Sequence, residues 1–341
     1  MRIYLNSDHM DTIKQSGVGR ALEHQQMALE SAGIPYTLTG TEPYDVIHIN
    51  TVFLKSFLKA KRAKKQGKVV IYHAHSTIED FKNSFIFSNV LFPLFGWWIK
   101  KAYSTADLIL TPSRYSKSLL ENYGIIKPIE VISNGVDLDY WTSTKEEIEM
   151  FRKKYHIQSN NKLILSVGLP IYRKGILDFV ALAERFPEYK FIWFGYSDPH
   201  FLPKEVVKAI NADLPNLQFP GYIARDELRV AYQASDLYLF LTHEETEGIV
   251  LLEALASMTD TIVRDIPVFN PDYVHGENLY KGSHLEDFAM LIENILEGKL
   301  PSLVEEGYKE VEKKSIQTIG FQLKNFYLKT IDLVSGFSVR L

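Results

Sequence analysis

The segment His243-Glu244-Glu245-Thr246-Glu247-Gly248-Ile249-Val250-Leu251-Leu252-Glu253-Ala254-Leu255 sets carboxylates on both sides of a glycine and an apolar run. The pattern predicts Glu245 in a loop after a strand and a helix opening at Gly248. Glu253 then sits roughly 7.5 Å along the axis from the helix start. Free backbone N–H groups near Gly248, Ile249 and Val250 would form an anion site, aided by the helix dipole. An anion held there has a carboxylate on either side. A nucleotide diphosphate-sugar has that layout: sugar, diphosphate, then ribose hydroxyls that need an acceptor. Acidic residues before and within a helix also read as cap and surface charges. A second segment narrows the choice. Leu163–Gly168 reads as a strand ending in glycine, Leu169–Tyr172 as a loop, and Arg173-Lys174-Gly175 as a helix opening. The dipole disfavours cations at such a place, so two of them suit a polyanion, with a solvated surface as the alternative.

A strand over Val69–Tyr72 leads into His73-Ala74-His75-Ser76-Thr77-Ile78-Glu79-Asp80. Within a strand His73 and His75 point the same way. A metal would need a third ligand, and none is evident nearby. A buried, hydrogen-bonded side chain is the plainer reading of His73. Upstream, Lys59, Lys61, Arg62, Lys64, Lys65 and Lys68 fall within ten residues that contain no acid, after Phe53, Leu54, Phe57 and Leu58. Such a helix can lie on an anionic membrane surface, each cation contributing about 1 kcal/mol. A helix C-terminus alone explains two or three lysines. Phe85, Phe87, Leu91, Phe92, Leu94, Phe95, Trp97 and Trp98 then precede Lys100-Lys101. Trp with Lys favours the membrane–water boundary, and an ordinary buried helix is the alternative.

Strands and helices alternate around these segments. The first half is predicted to hold strands at 2–6, 46–50, 68–74, 108–111 and 129–132, with helices at 18–32, 53–66, 90–103 and 113–123. After Asn134-Gly135 and a charged stretch from Thr144 to Tyr155 the rhythm restarts. Strands are expected at 163–167, 191–194, 237–241 and 261–263, with helices at 175–186, 225–234 and 248–258. This is the βαβα pattern of parallel sheets covered on both faces. It divides into residues 1–142, residues 143–318, and an amphipathic tail from 319 to 341 expected to cross back onto the first half. Ligands of open α/β sheets bind at strand C-termini, so two such halves place their ligands in one cleft.

The 341 residues fit two domains. Cysteine is absent and the net charge is −4. Disulfides and cysteine-bound metals are excluded, and a nucleic-acid partner is disfavoured. No leader of the secretory type is visible at the start. The stretch from Phe85 to Ile99 is broken by Pro93 and Gly96 and falls short of the ~20 apolar residues of a spanning helix. A soluble or peripheral protein is expected.

Together the motifs resemble the retaining family 4 glycosyltransferases of the GT-B fold. The resemblance rests on Arg173-Lys174-Gly175 and on Glu245 with Glu253. Ser16-Gly17-Val18-Gly19-Arg20, Thr111-Pro112-Ser113, Val131–Asp137 and Gly221-Tyr222-Ile223 support it in order. It implies Glu253 as the ribose-binding carboxylate and Glu245 as the acid facing the donor sugar. Arg173 and Lys174 would neutralise the departing diphosphate. Gly17 and Gly19 would let backbone approach the phosphates, with Tyr222, Ile223, Gly248, Ile249 and Val250 completing the donor site. His75 is implied to be a cleft histidine with a catalytic role; Ser76, Thr77 and Asp80 would join it at the acceptor. The donor would be UDP-glucose or UDP-galactose, with no metal or other cofactor required. Two departures stand out. Gly168-Leu169-Pro170 lacks the arginine common after that glycine, which leaves the contact to Arg173. Thr246-Glu247-Gly248 replaces a small Gly-Phe-Gly, putting Glu247 where sugar hydroxyls are read.

The basic helix and the His75–Phe85 segment look like the bacterial diacylglycerol glycosyltransferases. The compact length resembles the branch that adds a second hexose to a monohexosyl-diacylglycerol. This implies a diacylglycerol-based glycolipid acceptor and peripheral attachment at the cytoplasmic face, through Lys61, Arg62, Lys64, Lys65, Phe85, Trp97 and Trp98. Three rival readings remain: a GT-B enzyme with a soluble saccharide acceptor, a NAD-dependent oxidoreductase, and a non-catalytic membrane-surface protein. The second is opposed by the missing third glycine after Gly19 and by the lack of an acid ending the strand expected at 34–38. The third is opposed by Glu245 and Glu253.

Overall fold

The computed structural model describes residues 1–6, 8, 16–82 and 88–338. Alternation of apolar runs and amphipathic segments produces two parallel sheets. The first contains β1 (Ile3–Asn6), β2 (Tyr36–Thr37), β3 (Val46–Ile49), β4 (Val69–His73), β5 (Leu108–Thr111) and β6 (Ile129–Val131), in the order β2-β1-β3-β4-β5-β6. The second contains β7 (Leu163–Val167), β8 (Lys190–Phe194), β9 (Leu217–Gly221), β10 (Leu237–Phe240), β11 (Thr261–Arg264) and β12 (Tyr280–Gly282), ordered β12-β11-β10-β7-β8-β9. Strands β1, β4, β5, β7 and β10 are buried along their whole length. Helices on both faces make continuous apolar runs the stable composition for such strands. The strand expected at 34–38 is reduced to the two residues of β2, at the sheet edge.

The helices of the first half are α1 (Gly17–Ser31), α2 (Leu54–Lys65), α3 (Ile78–Phe81), α4 (Ser88–Tyr103) and α5 (Arg114–Asn122). Those of the second are α6 (Lys145–Lys154), α7 (Ile176–Arg185), α8 (Lys204–Ile210), α9 (Arg225–Ala234), α10 (Ile249–Ala256), α11 (Leu285–Leu296) and α12 (Val304–Glu312). Their starts follow the capping chemistry of the sequence. Ser113 with Ser116, and Thr144 with Glu147, close reciprocal capping boxes ahead of α5 and α6. No described helix is long and apolar enough to cross a membrane.

A last helix, α13 (Ile316–Ser338), leaves the second half and packs along α1. Ile319, Leu323 and Tyr327 are buried in one cluster with Ile3, Leu5 and Ile71. Tyr327 Oη is hydrogen-bonded to His48 Nδ1 at 2.7 Å. The two passages between the halves run side by side. Val136 N–H donates to the Lys314 carbonyl at 3.0 Å, and Ile316 N–H donates to the Val136 carbonyl at 3.1 Å. This paired crossing fixes one end of the cleft and leaves the strand C-termini of the two sheets facing each other.

Candidate active site

Strand β10 runs into the loop carrying Glu244, Glu245 and Glu247, and Gly248 turns that loop into α10. Gly248 holds φ at +89°, and a Cβ there would lie 2.6 Å from the Phe240 ring. A side chain is excluded by both conformation and space. No side chain caps α10; the Gly248 carbonyl takes Leu251 N–H at 2.9 Å, which leaves the Ile249 and Val250 N–H groups for another acceptor. Glu253, on the next turn, is 1% exposed. Tyr232 Oη donates to its Oε2 at 3.3 Å, and Arg20 Nε lies 3.6 Å from Oε1. Burial pushes its carboxyl up to about 7 against the pull of Arg20 and Arg225.

Strand β7 ends at Gly168, and a single turn over Tyr172–Lys174 lifts the two cations to the cleft. Lys174 is half-buried and ion-paired with the buried Glu245. Arg173 reaches across to the other half, its Nη1 2.8 Å from Asp80 Oδ1 and donating to the Glu244 carbonyl at 2.8 Å. Gly175 closes the turn at φ +80°, where a Cβ would overlap the Leu241 carbonyl oxygen. Gly175→Ala is therefore expected to cost about 2 kcal/mol or more. A scan of thermal unfolding should find a melting temperature lower by roughly 4 °C or more.

The facing wall grows from the end of β4. His75 and His73 rings stack with centroids 4.3 Å apart, and His73 stacks on His48 at 5.5 Å. Gln25 Nε2 donates to Asn50 Oδ1 at 2.8 Å and lies 2.9 Å from His73 Nδ1. His75 Nε2 lies 2.9 Å from the same Asn50 oxygen. A carbonyl oxygen accepts, so His75 Nε2 carries the proton and Nδ1 keeps the lone pair. Burial drives the His75 pKa down to about 3, which keeps the ring neutral. Thr77 Oγ1 caps α3 by accepting from Asp80 N–H at 3.1 Å. Burial raises the Asp80 carboxyl and Arg173 opposes it.

These walls enclose a cavity of about 600 Å³. It is lined by Gly17, His75, Ser76, Thr77, Asp80, Arg173, Lys174, Tyr222, Ile223, Glu245, Gly248, Ile249, Val250 and Glu253, all expected there from sequence. Gly19 does not line it: it is buried in the first turn of α1, its N–H donating to the capping Ser16 Oγ at 3.4 Å. Glu247 also departs from expectation. Its Oε2 accepts from Asn134 N–H at 2.9 Å and Asn134 Nδ2 at 2.8 Å, so it clasps the two halves instead of facing the cavity. Sequence reasoning missed Arg20, Asn50 and Gln25 as site-shaping residues. Arg20 was visible in the Gly19-Arg20 motif, whereas the other two carry no local signal. Among the described residues no group of three or more His, Asp or Glu side chains could hold a metal ion.

Outside the cleft, α2 and α4 pack together through Phe57 and Trp98, whose ring centroids are 5.3 Å apart. Trp98 Nε1 donates to the Val52 carbonyl at 2.6 Å, so this tryptophan is structural, whereas Trp97 is 56% exposed. Lys61, Arg62 and Lys65 are exposed; Lys64 is ion-paired with Asp107 at 2.9 Å. Phe53 at the start of α2, Leu54 and Leu58 of α2, and Val90, Leu91 and Leu94 of α4 are exposed apolar side chains. Phe85 lies outside the described residues.

Residues 29–140 match the family profile of Glycosyltransferase Family 4, and residues 147–314 that of Glycosyl transferases group 1. The processive diacylglycerol alpha-glucosyltransferase of Acholeplasma laidlawii is 39% identical, over 98% of this chain and 99% of its own. The alpha-monoglucosyldiacylglycerol synthase of Streptococcus pneumoniae is 27% identical, over 84% of this chain and 67% of its own. In three dimensions the chain is similar to Anabaena HepE in complex with UDP-glucose, with a TM-score of 0.78 at 17% identity, covering 96% and 100% of the two chains. Sucrose-phosphate synthase from Thermosynechococcus elongatus gives 0.79 at 17% identity, over 96% and 98%. The latter two likenesses establish the GT-B fold.

Proposed function

The chain belongs to family 4 of the glycosyltransferases, and from that membership we propose that it moves a hexose from UDP-glucose or UDP-galactose onto a diacylglycerol-based glycolipid. The reaction proceeds with retention at the cytoplasmic face of a membrane. The observation that carries this reading is the arrangement around α10. Its uncapped N-terminus has the Lys174–Glu245 pair at the loop and Glu253 a turn further on. The near full-length kinship to a diacylglycerol alpha-glucosyltransferase supports the lipid acceptor.

In this reading the diphosphate lies against the first turn of α10 and Lys174, and the ribose hydroxyls donate to Glu253. Glu245 faces the sugar. Asp80 orients the acceptor hydroxyl, and neutral His75 accepts a hydrogen bond at Nδ1. The acceptor oxygen attacks the anomeric carbon from the leaving-group face as the bond to the β-phosphate oxygen breaks. The hydroxyl proton passes to that departing oxygen, so UDP leaves protonated and no protein base is consumed. Arg173, Lys174 and the helix dipole supply the positive potential for the charge that develops. With Glu247 turned to Asn134, Thr246 joins Glu245 as a loop side chain that contacts the hexose.

Incubation with radiolabelled UDP-glucose or UDP-galactose against diacylglycerol and monohexosyl-diacylglycerol, followed by thin-layer separation, tests this directly. Label is expected in a dihexosyl lipid; label that enters soluble saccharides alone refutes the lipid reading. Glu253→Ala should raise the KM for the donor more than it lowers turnover, because the ribose contact exists in ground and transition states alike. The Glu253 carboxyl at about 7 adds a pH signature. Ribose hydroxyls favour the ionised form, so donor affinity rises with pH up to about 7. Below that it weakens by up to tenfold per pH unit. A KM–pH profile that keeps this slope in Glu253→Ala would assign the titration to another group.

A further inference from the structure

A second cavity, of about 260 Å³, opens beside the donor cleft, with Arg173 in the wall of both. Its lining is Glu79, Lys82, Tyr172, Arg173, His243 and Glu244, so each half of the molecule contributes to it. The Tyr172 and His243 rings are stacked, with centroids 5.7 Å apart and planes 9° apart. Glu244 Oε2 accepts from Tyr115 Oη at 3.0 Å, while Glu244 Oε1 is buried without a partner. A buried acceptor left empty is costly, and a ligand that brings a donor relieves it.

The composition selects the ligand. Two acids and two cations line the wall, so it favours neither an anion nor a cation. A neutral group with several hydroxyl donors and a flat apolar face answers both the unpaired Glu244 oxygen and the ring pair. The volume lies below the roughly 300–1,000 Å³ typical of larger ligand sites, so it suits one sugar ring and not a nucleotide. Position adds a further argument. Lys82 Nζ lies 4.4 Å from the Phe92 ring centroid, which ties this rim to α4 and its exposed Leu91, Leu94 and Trp97. On the inner side the two spaces adjoin at Arg173, which lines both and is ion-paired with Asp80 of the donor cleft.

We propose that this cavity seats the sugar headgroup of a glycosylated acceptor lipid, holding the hexose that is to be extended. The proposal rests on the lipid-acceptor reading above. The hexose enters from the α4 side, one hydroxyl donating to Glu244 Oε1, and an edge of the ring reaches past Asp80 toward the donor sugar. Selectivity for an acceptor that already carries a hexose follows, because diacylglycerol has nothing to place there.

The test compares KM for monohexosyl-diacylglycerol and for diacylglycerol in mixed micelles at saturating UDP-glucose. Glu244→Ala and His243→Ala should each raise the KM for the glycosylated acceptor about tenfold relative to that for diacylglycerol. Glu244→Gln keeps an acceptor oxygen and should recover most of the wild-type value. Octyl α-glucoside binding in the presence of UDP, followed by saturation-transfer NMR, gives a second readout that needs no turnover. Loss of binding in Glu244→Ala supports the cavity even if wild type glycosylates neither lipid, an outcome that would overturn only the lipid reading. Unchanged octyl glucoside binding in both alanine variants, or KM rising equally for the two acceptors, overturns the proposal.

Discussion

Replacing Lys174 with alanine is expected to lower turnover about a hundredfold or more, with a smaller effect on the KM for the donor. The ammonium group has three donors, and Glu245 takes one in the resting cleft. The remaining capacity faces the space where a diphosphate meets the first turn of α10. As the glycosidic bond breaks, negative charge accumulates on the departing oxygen, so a cation held there stabilises the transition state more than the ground state. Arg173→Ala should act through the same term and also removes the bridge between Asp80 and the Glu244 carbonyl. Removing Lys174 also destabilises the fold by up to about 3 kcal/mol, because the buried Glu245 charge is stranded. The double variant Lys174→Met/Glu245→Gln removes both charges and separates the effects: it should melt near wild type and remain inactive. Turnover within about threefold of wild type in both single cation variants would refute the mechanism.

Which parts of this site could be read from the chain follows from how each part is encoded. Strands such as Leu163–Val167 and Leu237–Phe240 are buried on both faces, so their sequences are unbroken apolar runs that stand out from flanking loops. The strand at Leu217–Gly221 contains Gln218 and Pro220, and that at Tyr280–Gly282 is three residues long, so neither carries such a run. Glu253 is legible because a carboxylate inside Ile249–Ala256, an otherwise apolar helix, needs a reason to be buried. Asn50 and Gln25 are not. A polar residue at a strand end or on a helix resembles any surface residue until β4 brings His73 and His75 against it. The misplacement of Glu247 has a similar origin. Its neighbours in sequence, Thr246 and Gly248, do line the cavity, but the direction of its side chain depends on Asn134, more than a hundred residues away. Local pattern specifies the elements, whereas side-chain direction at the cleft is set by the other half of the molecule.

The same distinction changes what the basic helix should do at a membrane. Of its six cations, Lys59 is ion-paired with Asp8 at 2.7 Å and Lys64 with Asp107 at 2.9 Å. Lys61, Arg62 and Lys65 are exposed, on the helix that also exposes Leu54 and Leu58. Replacing these three with Gln should weaken partitioning onto anionic vesicles by about 3 kcal/mol, or more than a hundredfold if additive. Lys64→Gln alone should change it least, since that charge already faces a carboxylate. Raising salt to about 1 M should mimic the triple variant, because the Debye length falls from ~8 Å to ~3 Å. Binding through Val90, Leu91, Leu94 and Trp97 should persist in salt, since burial of apolar surface is not screened. Flotation of wild type, the triple variant and Lys64→Gln at low and high salt separates these contributions. If the triple variant floats as well as wild type at low salt, the basic face is only a solvated surface. Membrane attachment would then fall to the exposed apolar side chains of α4, and a further variant, Leu94→Gln/Trp97→Gln, should abolish flotation at either salt concentration.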